Sequence, residues 1–175
     1  MPQMTAAALI DALDLVPHPE EGGYFRETWR AAEAVAGEGL PLRYGDRGGN
    51  ASRCFGTAIY YLLTPDTFSH LHRLRSDEVF HFYLGDAVEM LHLAPGGTGR
   101  RVVLGCDIAA GERPQVVVPA GVWQGARLVD GGAFALLGCT VAPGFDFADY
   151  EHGRRADLLH SWSAWSDLIE TLTTP

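Results

Sequence analysis

From residue 55 to residue 142 the chain breaks into short apolar runs, and no other feature limits its fold so tightly. They read "FGTAIYYLLT", "FSHLHRL", "EVFHFYLG", "DAVEMLHLA", "RRVVLGCDI", "PQVVVPA", "WQGARLVD" and "AFALLGCTVA". Each is rich in Val, Leu, Ile, Phe or Tyr, side chains that pack well on a pleated, half-buried surface. Gly, Pro and Asp punctuate them at close intervals. Closely spaced short strands of this kind specify an all-β protein, an antiparallel sandwich or barrel.

The two ends follow a different period. Thr5 is placed to cap a short helix in which Leu9, Ile10, Leu13 and Val16 share a face, and Pro17 and Pro19 end it. Trp162, Trp165, Leu168, Ile169 and Leu172 fit one face of a helix near the C-terminus. "EGGYFRETWR" alternates as a strand, with Tyr24, Arg26, Thr28 and Arg30 on one side and Phe25, Glu27 and Trp29 on the other. Residues 31 to 53, rich in Gly, Ala and charge, read as a long loop. No repeat or linker divides the chain, so residues 1 to 175 are expected to form one domain.

Composition removes several classes of function. The net charge of −9, with no basic run, argues against nucleic acid as a partner. No apolar run approaches the roughly 20 residues that span a bilayer, and the N-terminus does not read as a signal peptide, so neither a membrane partner nor secretion is expected. Cys54, Cys106 and Cys139 are widely spaced without a CxxC pair, which predicts reduced thiols and a cytoplasmic protein. Cys106 and Cys139 lie in apolar strands and read as buried.

The chemistry concentrates in "FSHLHRLRSDEVFHFYLG", residues 68 to 85. Side chains two apart on a strand share a face, so His70 and His72 are expected to point together. Glu78 opens the next strand, and Phe80, Phe82 and Leu84 follow it on one face. Two imidazoles and a carboxylate leave open positions on a divalent transition metal such as Fe, Mn, Zn or Ni. The same groups also suit a polar pocket without metal. Arg73 is a candidate to grip an anionic ligand group, and Trp123 to stack on a ligand ring or pack in the core. His81 has the opposite parity from Glu78 and reads as a surface residue; His92 reads as structural or solvent-facing.

His70-x-His72, Glu78 and Gly85 resemble the first motif of the cupin superfamily, and "PAGVWQ" (119–124) resembles the second. "HPEEGGYFRETWR", "HRLRSDEVFHFYLG" and "VAPGFDFADYE" further resemble one small cupin subfamily of largely unassigned function. The resemblance implies a double-stranded β-helix, or jelly roll, with a ligand pocket inside, and a homodimer. By position it implies a metal set of His70, His72, Glu78 and Gln124, although the second motif ends in Gln124 where metal cupins carry histidine.

Three functions remain open from the sequence. One is a metal-dependent enzyme acting on a small polar metabolite. A second is a metal-free isomerase or epimerase, with His72 as base, Glu78 or Asp77 orienting it, and Tyr60 or Tyr83 as acid. The third is a protein that captures a metabolite without catalysis. In each, His72 and Glu78 are central and Phe80, Phe82, Trp123, Gln124 and Arg73 are the candidate ligand contacts.

Overall fold

The computed structural model describes residues 4–44 and 52–175. Helix α1 (Ala6–Ala12) begins at Thr5, whose Oγ1 accepts a hydrogen bond from the Ala8 amide at 3.2 Å. Strands β1 (Val16–Pro17) and β2 (Tyr24–Arg30) follow, then a small pair, β3 (Ala34–Val35) and β4 (Arg53–Cys54). The apolar runs become β5 (Thr57–Leu63), β6 (Phe68–Arg73), β7 (Asp77–Gly85) and β8 (Val88–Ala94). They continue as β9 (Thr98–Leu104), β10 (Gln115–Val118), β11 (Trp123–Leu128) and β12 (Ala135–Ala142). The chain closes with β13 (Glu151–His152), α2 (Arg155–Ser161) and α3 (Ser166–Thr171).

The strands form two antiparallel sheets, ordered β1-β2-β5-β12-β7-β10 and β13-β6-β11-β8-β9. This is the all-β jelly roll the sequence predicts, with short helices near both ends. Alternation along each strand sorts the apolar residues. Tyr61, Phe80, Met90, Val116, Ala126 and Leu137 fill the space between the sheets. Leu71, Leu91, Leu93 and Trp123 point outward and are covered by Leu158, Ile169 and Leu172 from the C-terminal helices. Leu9 and Leu15 cover Leu62 and Leu136 on the outside of the other sheet. Each such side chain contributes roughly 1.5–3 kcal/mol on full burial.

Several expectations need correction. The stretch read as a loop contains β3, β4 and two short turns of 3-10 helix at 37–39 and 42–44; its residues 45–51 lie outside the described residues. The C-terminal apolar stretch is broken, because Trp162 ends α2 and a 3-10 turn at 163–165 precedes α3. Cys106 is exposed, whereas Cys139 is buried.

Three β-bulges re-aim side chains that strict alternation misplaces. On β6, His72 pairs with Gln124 and Ser69 with Ala126, so three steps on β6 oppose two on β11. Ser69 and His72 therefore face inward, and His70 does not. On β7, Phe82 pairs with Leu137 and Leu84 with Leu136, which leaves Tyr83 as the extra residue and removes Leu84 from the face of Phe82. On β2, Glu27 pairs with Ile59 and Trp29 with Ala58, so Arg30 joins Glu27 on the inner side and Trp29 is exposed. Gly125 sits opposite the β6 bulge; a Cβ there would lie 3.0 Å from Leu71 Cγ and 3.1 Å from the Ser69 carbonyl oxygen.

The segment before β2 is tied down as firmly as the strands. The His70 amide donates to the Glu21 carbonyl at 2.8 Å, and the next residue, Gly22, has φ +93°. A Cβ on Gly22 would collide with the Phe68 carbonyl oxygen. Gly22→Ala should thus cost about 2 kcal/mol or more, since it adds both left-handed strain and a backbone clash. Urea denaturation of the two proteins checks this; equal midpoints would contradict it.

Candidate functional site

A cavity of about 370 Å³ opens at one end of the sandwich. Glu78 and Cys139 line it from the first sheet, and His72 lines it from the second. His18 and Glu21 close one side from the segment ahead of β2. Phe145, Asp146 and Phe147 come from the stretch after β12.

Hydrogen bonds orient each imidazole. His72 Nδ1 donates to the His70 carbonyl at 2.7 Å, which turns its Nε2 to the cavity. That nitrogen lies 3.9 Å from Glu21 Oε2. His18 has the opposite tautomer: its Nδ1 accepts from the Glu21 amide at 2.9 Å, and Nε2 is 3.9 Å from the same carboxylate oxygen. Burial pushes the His18 pKa down. The other Glu21 oxygen accepts from Ser69 Oγ at 2.5 Å, a contact that the β6 bulge creates. Tyr150 stacks on His72 with ring centroids 5.0 Å apart.

Glu78 is buried, and its Oε2 accepts from Gln124 Nε2 at 2.6 Å, a bond that crosses from one sheet to the other. Desolvation, followed by repulsion from Glu21, pushes the Glu78 carboxyl up to about 8. It is therefore mostly protonated at neutral pH. Burial likewise pushes the Cys139 thiol well up, so it is no nucleophile. Gln124 also belongs to a row of direct cross-strand partners, His72, Gln124, His92 and Arg100, spanning four strands. Arg100 Nε donates to His92 Nδ1 at 3.2 Å, and burial lowers the His92 pKa to about 4. Among the described residues, Gln124 Oε1 and His92 Nε2 are the buried side-chain atoms left without a partner.

The residues expected to hold metal do not assemble. His70 points away from His72: its Nε2 accepts from the Thr174 amide at 3.1 Å, and its ring stacks on His152 at 3.6 Å. Gln124 turns its NH2, not its oxygen, toward Glu78. Among the described residues, no group of three or more His, Cys, Asp or Glu converges as a metal site. The donor set implied by resemblance therefore does not fit a metal ion.

The remaining candidates divide. Phe80 and Phe82 lie inside the sandwich with Glu78, but as core rather than cavity wall. Trp123 is on the outer face, with the Arg73 guanidinium 4.5 Å above its ring. Arg73 is clamped by both oxygens of Glu151 at 2.8 Å, so neither residue reaches the cavity. Asp77 accepts from the Ala120 amide at 2.8 Å and shapes a turn rather than orienting His72. Tyr60 and Tyr83 pair edge to face, 6.2 Å apart, and do not line the cavity. His18, Glu21, Arg30 and Asp146 were not singled out in the sequence. The available signal was a histidine and carboxylates set directly before the glycine pair, in "HPEEGG".

A sequence profile described as Cupin superfamily (DUF985) matches residues 7–153. The chain belongs to the cupin superfamily. An uncharacterized protein of Saccharomyces cerevisiae is 33% identical over 164 residues, covering 90% of this cupin and 80% of the yeast protein. A hypothetical protein from Leishmania major has a TM-score of 0.84 and 32% identity, covering 98% of this chain and 100% of that one. A Shewanella oneidensis protein also has a TM-score of 0.84 at 32% identity, with 99% of each chain covered. Oxalate decarboxylase from Bacillus subtilis is more distant, at TM-score 0.52 and 15% identity over 91% of this chain and 37% of that one; the likeness is one of fold. Among the described residues of this cupin, no helix is long and apolar enough to cross a membrane.

The Glu78 carboxyl gives this cupin a testable pH dependence. Its folded pKa of about 8 exceeds the ordinary 4.5, so the folded state binds the proton more tightly than the unfolded one. The associated stability is full below about pH 4.5 and is lost as pH rises through about 8. Glu78→Gln, always neutral, should gain stability over the wild type between pH 5 and 9. The displacement from 4.5 to about 8 sets a ceiling of about 5 kcal/mol, at about 1.4 kcal/mol per pH unit. Denaturation across that range measures it; parallel curves would show that Glu78 titrates normally.

Proposed function

We propose that this cupin binds a small polar metabolite in the cavity and transfers protons to or from it without a metal. His72 is the base and Glu78 the acid. One observation carries the reading: a single cavity is lined by the His72 imidazole on one sheet and, on the other, by the buried Glu78 carboxyl, which desolvation pushes up to about 8. Titratable groups whose environments separate their proton affinities are the usual basis of acid–base chemistry at neutral pH. Glu21 supports His72, because its carboxylate favours the imidazolium formed after proton uptake. The chain contains no lysine, so no lysine amine is at hand for Schiff-base chemistry. A cytosolic setting is part of this reading, supported by the three free cysteines.

Solvent-deuterium exchange into a panel of neutral and amino-substituted sugars and keto compounds tests the proposal. The wild type should exchange a carbon-bound proton of its ligand. His72→Ala and Glu78→Gln should each lose about 100-fold or more, the ordinary contribution of a positioned acid or base. A wild type that binds a panel member and exchanges nothing would make the protein a metabolite-capturing module.

We also propose a homodimer. Support comes from β2, whose edge away from β5 is covered by β1 only at Tyr24 and Phe25, and from the outer face of the first sheet, where Tyr83 and Val117 are about half exposed. Light scattering should give twice the 19.0 kDa chain mass at micromolar concentration. A mass near one chain would refute it.

A further inference from the structure

We propose that the ligand of the cavity is a cation rich in N–H donors, an ammonium or amidinium group carried on an apolar or aromatic body. This rests on the proposed function only in taking the cavity as the ligand site; it needs no proton transfer.

The groups of the lining that carry unpaired charge are carboxylates, Glu21 and Asp146, beside the neutral donors of His18, Thr57 and Glu78. His72 has only 2% of its side chain exposed, and among the described residues no hydrogen-bond partner meets its Nε2, which faces the cavity. In the neutral imidazole that nitrogen is an acceptor, open to a donor from the ligand. Glu21 sits beside it, bound by the neutral Ser69 hydroxyl. The chain has no lysine, and among the described residues no arginine pairs with Glu21. Asp146 adds a second carboxylate at the mouth, and among the described residues the Ala148 amide alone engages it.

Among the described residues, the one guanidinium in the cavity lining is already engaged. Arg30 Nε and NH2 bind the two Glu27 oxygens at 3.0 and 2.7 Å, and NH1 binds the Phe145 carbonyl at 3.1 Å. Glu27 cancels its charge. Nearby Arg53 is taken by both oxygens of Asp149, at 2.6 and 2.8 Å. The Arg30–Glu27 pair being neutral, Glu21 and Asp146 leave the cavity anionic. Among the described residues an anionic ligand would find no free arginine and would face both carboxylates.

The rest of the lining fits the body of such a ligand. Phe25, Phe145 and Phe147 ring the mouth, with Phe145 and Phe147 edge to face at 5.0 Å and His18 edge-on to Phe25 at 4.6 Å. Aromatic faces attract cations and cover apolar rings. The chain's net charge of −9 draws cations toward it from a distance.

Three probes of one shape separate the alternatives: benzylammonium, benzyl alcohol and benzoate. Each is titrated at pH 7 into the full chain by calorimetry, while the His72 ring is followed by nitrogen-15 NMR. Benzylammonium should bind at least about tenfold more tightly than benzoate, with the alcohol between them. It should shift the His72 Nε2 resonance. Glu21→Gln should reduce the cation preference to below about threefold. Asp146→Asn, at the solvent-facing mouth, should reduce it as well and serves if the first variant does not fold. Benzoate binding as tightly as benzylammonium overturns the proposal, and so does the failure of all three to perturb His72. Benzylammonium binding in a protein that exchanges no deuterium leaves this inference standing and removes the acid–base reading. Exchange together with benzoate preference does the reverse.

Discussion

A single hydrogen bond across the interior sets the character of this cupin: Gln124 Nε2 to Glu78 Oε2, 2.6 Å long and shut off from water. A carboxyl buried between the two sheets cannot hold its charge cheaply. Its proton stays on, and the amide from the facing sheet satisfies one oxygen. The two sheets are thus registered against each other by a polar contact as well as by apolar packing. The same contact uses the Gln124 side chain that a metal site would need.

Around that contact the cavity divides labour between its walls. The sheets supply rigid groups, His72 and Glu78, held by ladder pairing on both sides. The segment before β2 supplies Glu21, held by its own backbone and by Ser69. The stretch after β12 supplies aromatic cover. Proton chemistry depends on the rigid groups, and ligand choice depends on the others. Substitutions in the two sets should therefore separate turnover from selectivity.

The fold was legible because it rests on alternation and turn residues, which are local properties of the chain. All eight apolar runs became strands, and Thr5 became a helix cap. His72 and Glu78 were legible for the same reason, and both reached the cavity. His70, Leu84 and Arg30 were misplaced, each by one extra residue in a strand. Nothing in "FSHLHR" marks the bulge; its cause lies across the sheet, where Gly125 gives β6 room. Trp123 and Arg73 were misjudged because their neighbours, Leu71 and Glu151, meet them only in three dimensions. Glu21 escaped notice because its role depends on Ser69, 48 positions along the chain.

The bulge in β6 also bears on how sites of this kind diverge. The residues of the metal motif stand in the sequence in nearly their full number, yet one imidazole serves the outside of the sheet. Removing Ser69 would bring His70 opposite Ala126, and both rings would then face inward, while Glu21 would lose the hydroxyl that holds it. Strand length, as well as the residue at position 124, decides what this pocket can hold. A single codon gained or lost in β6 is thus a larger chemical step than most substitutions, and matching letters in two aligned motifs do not establish a shared ligand.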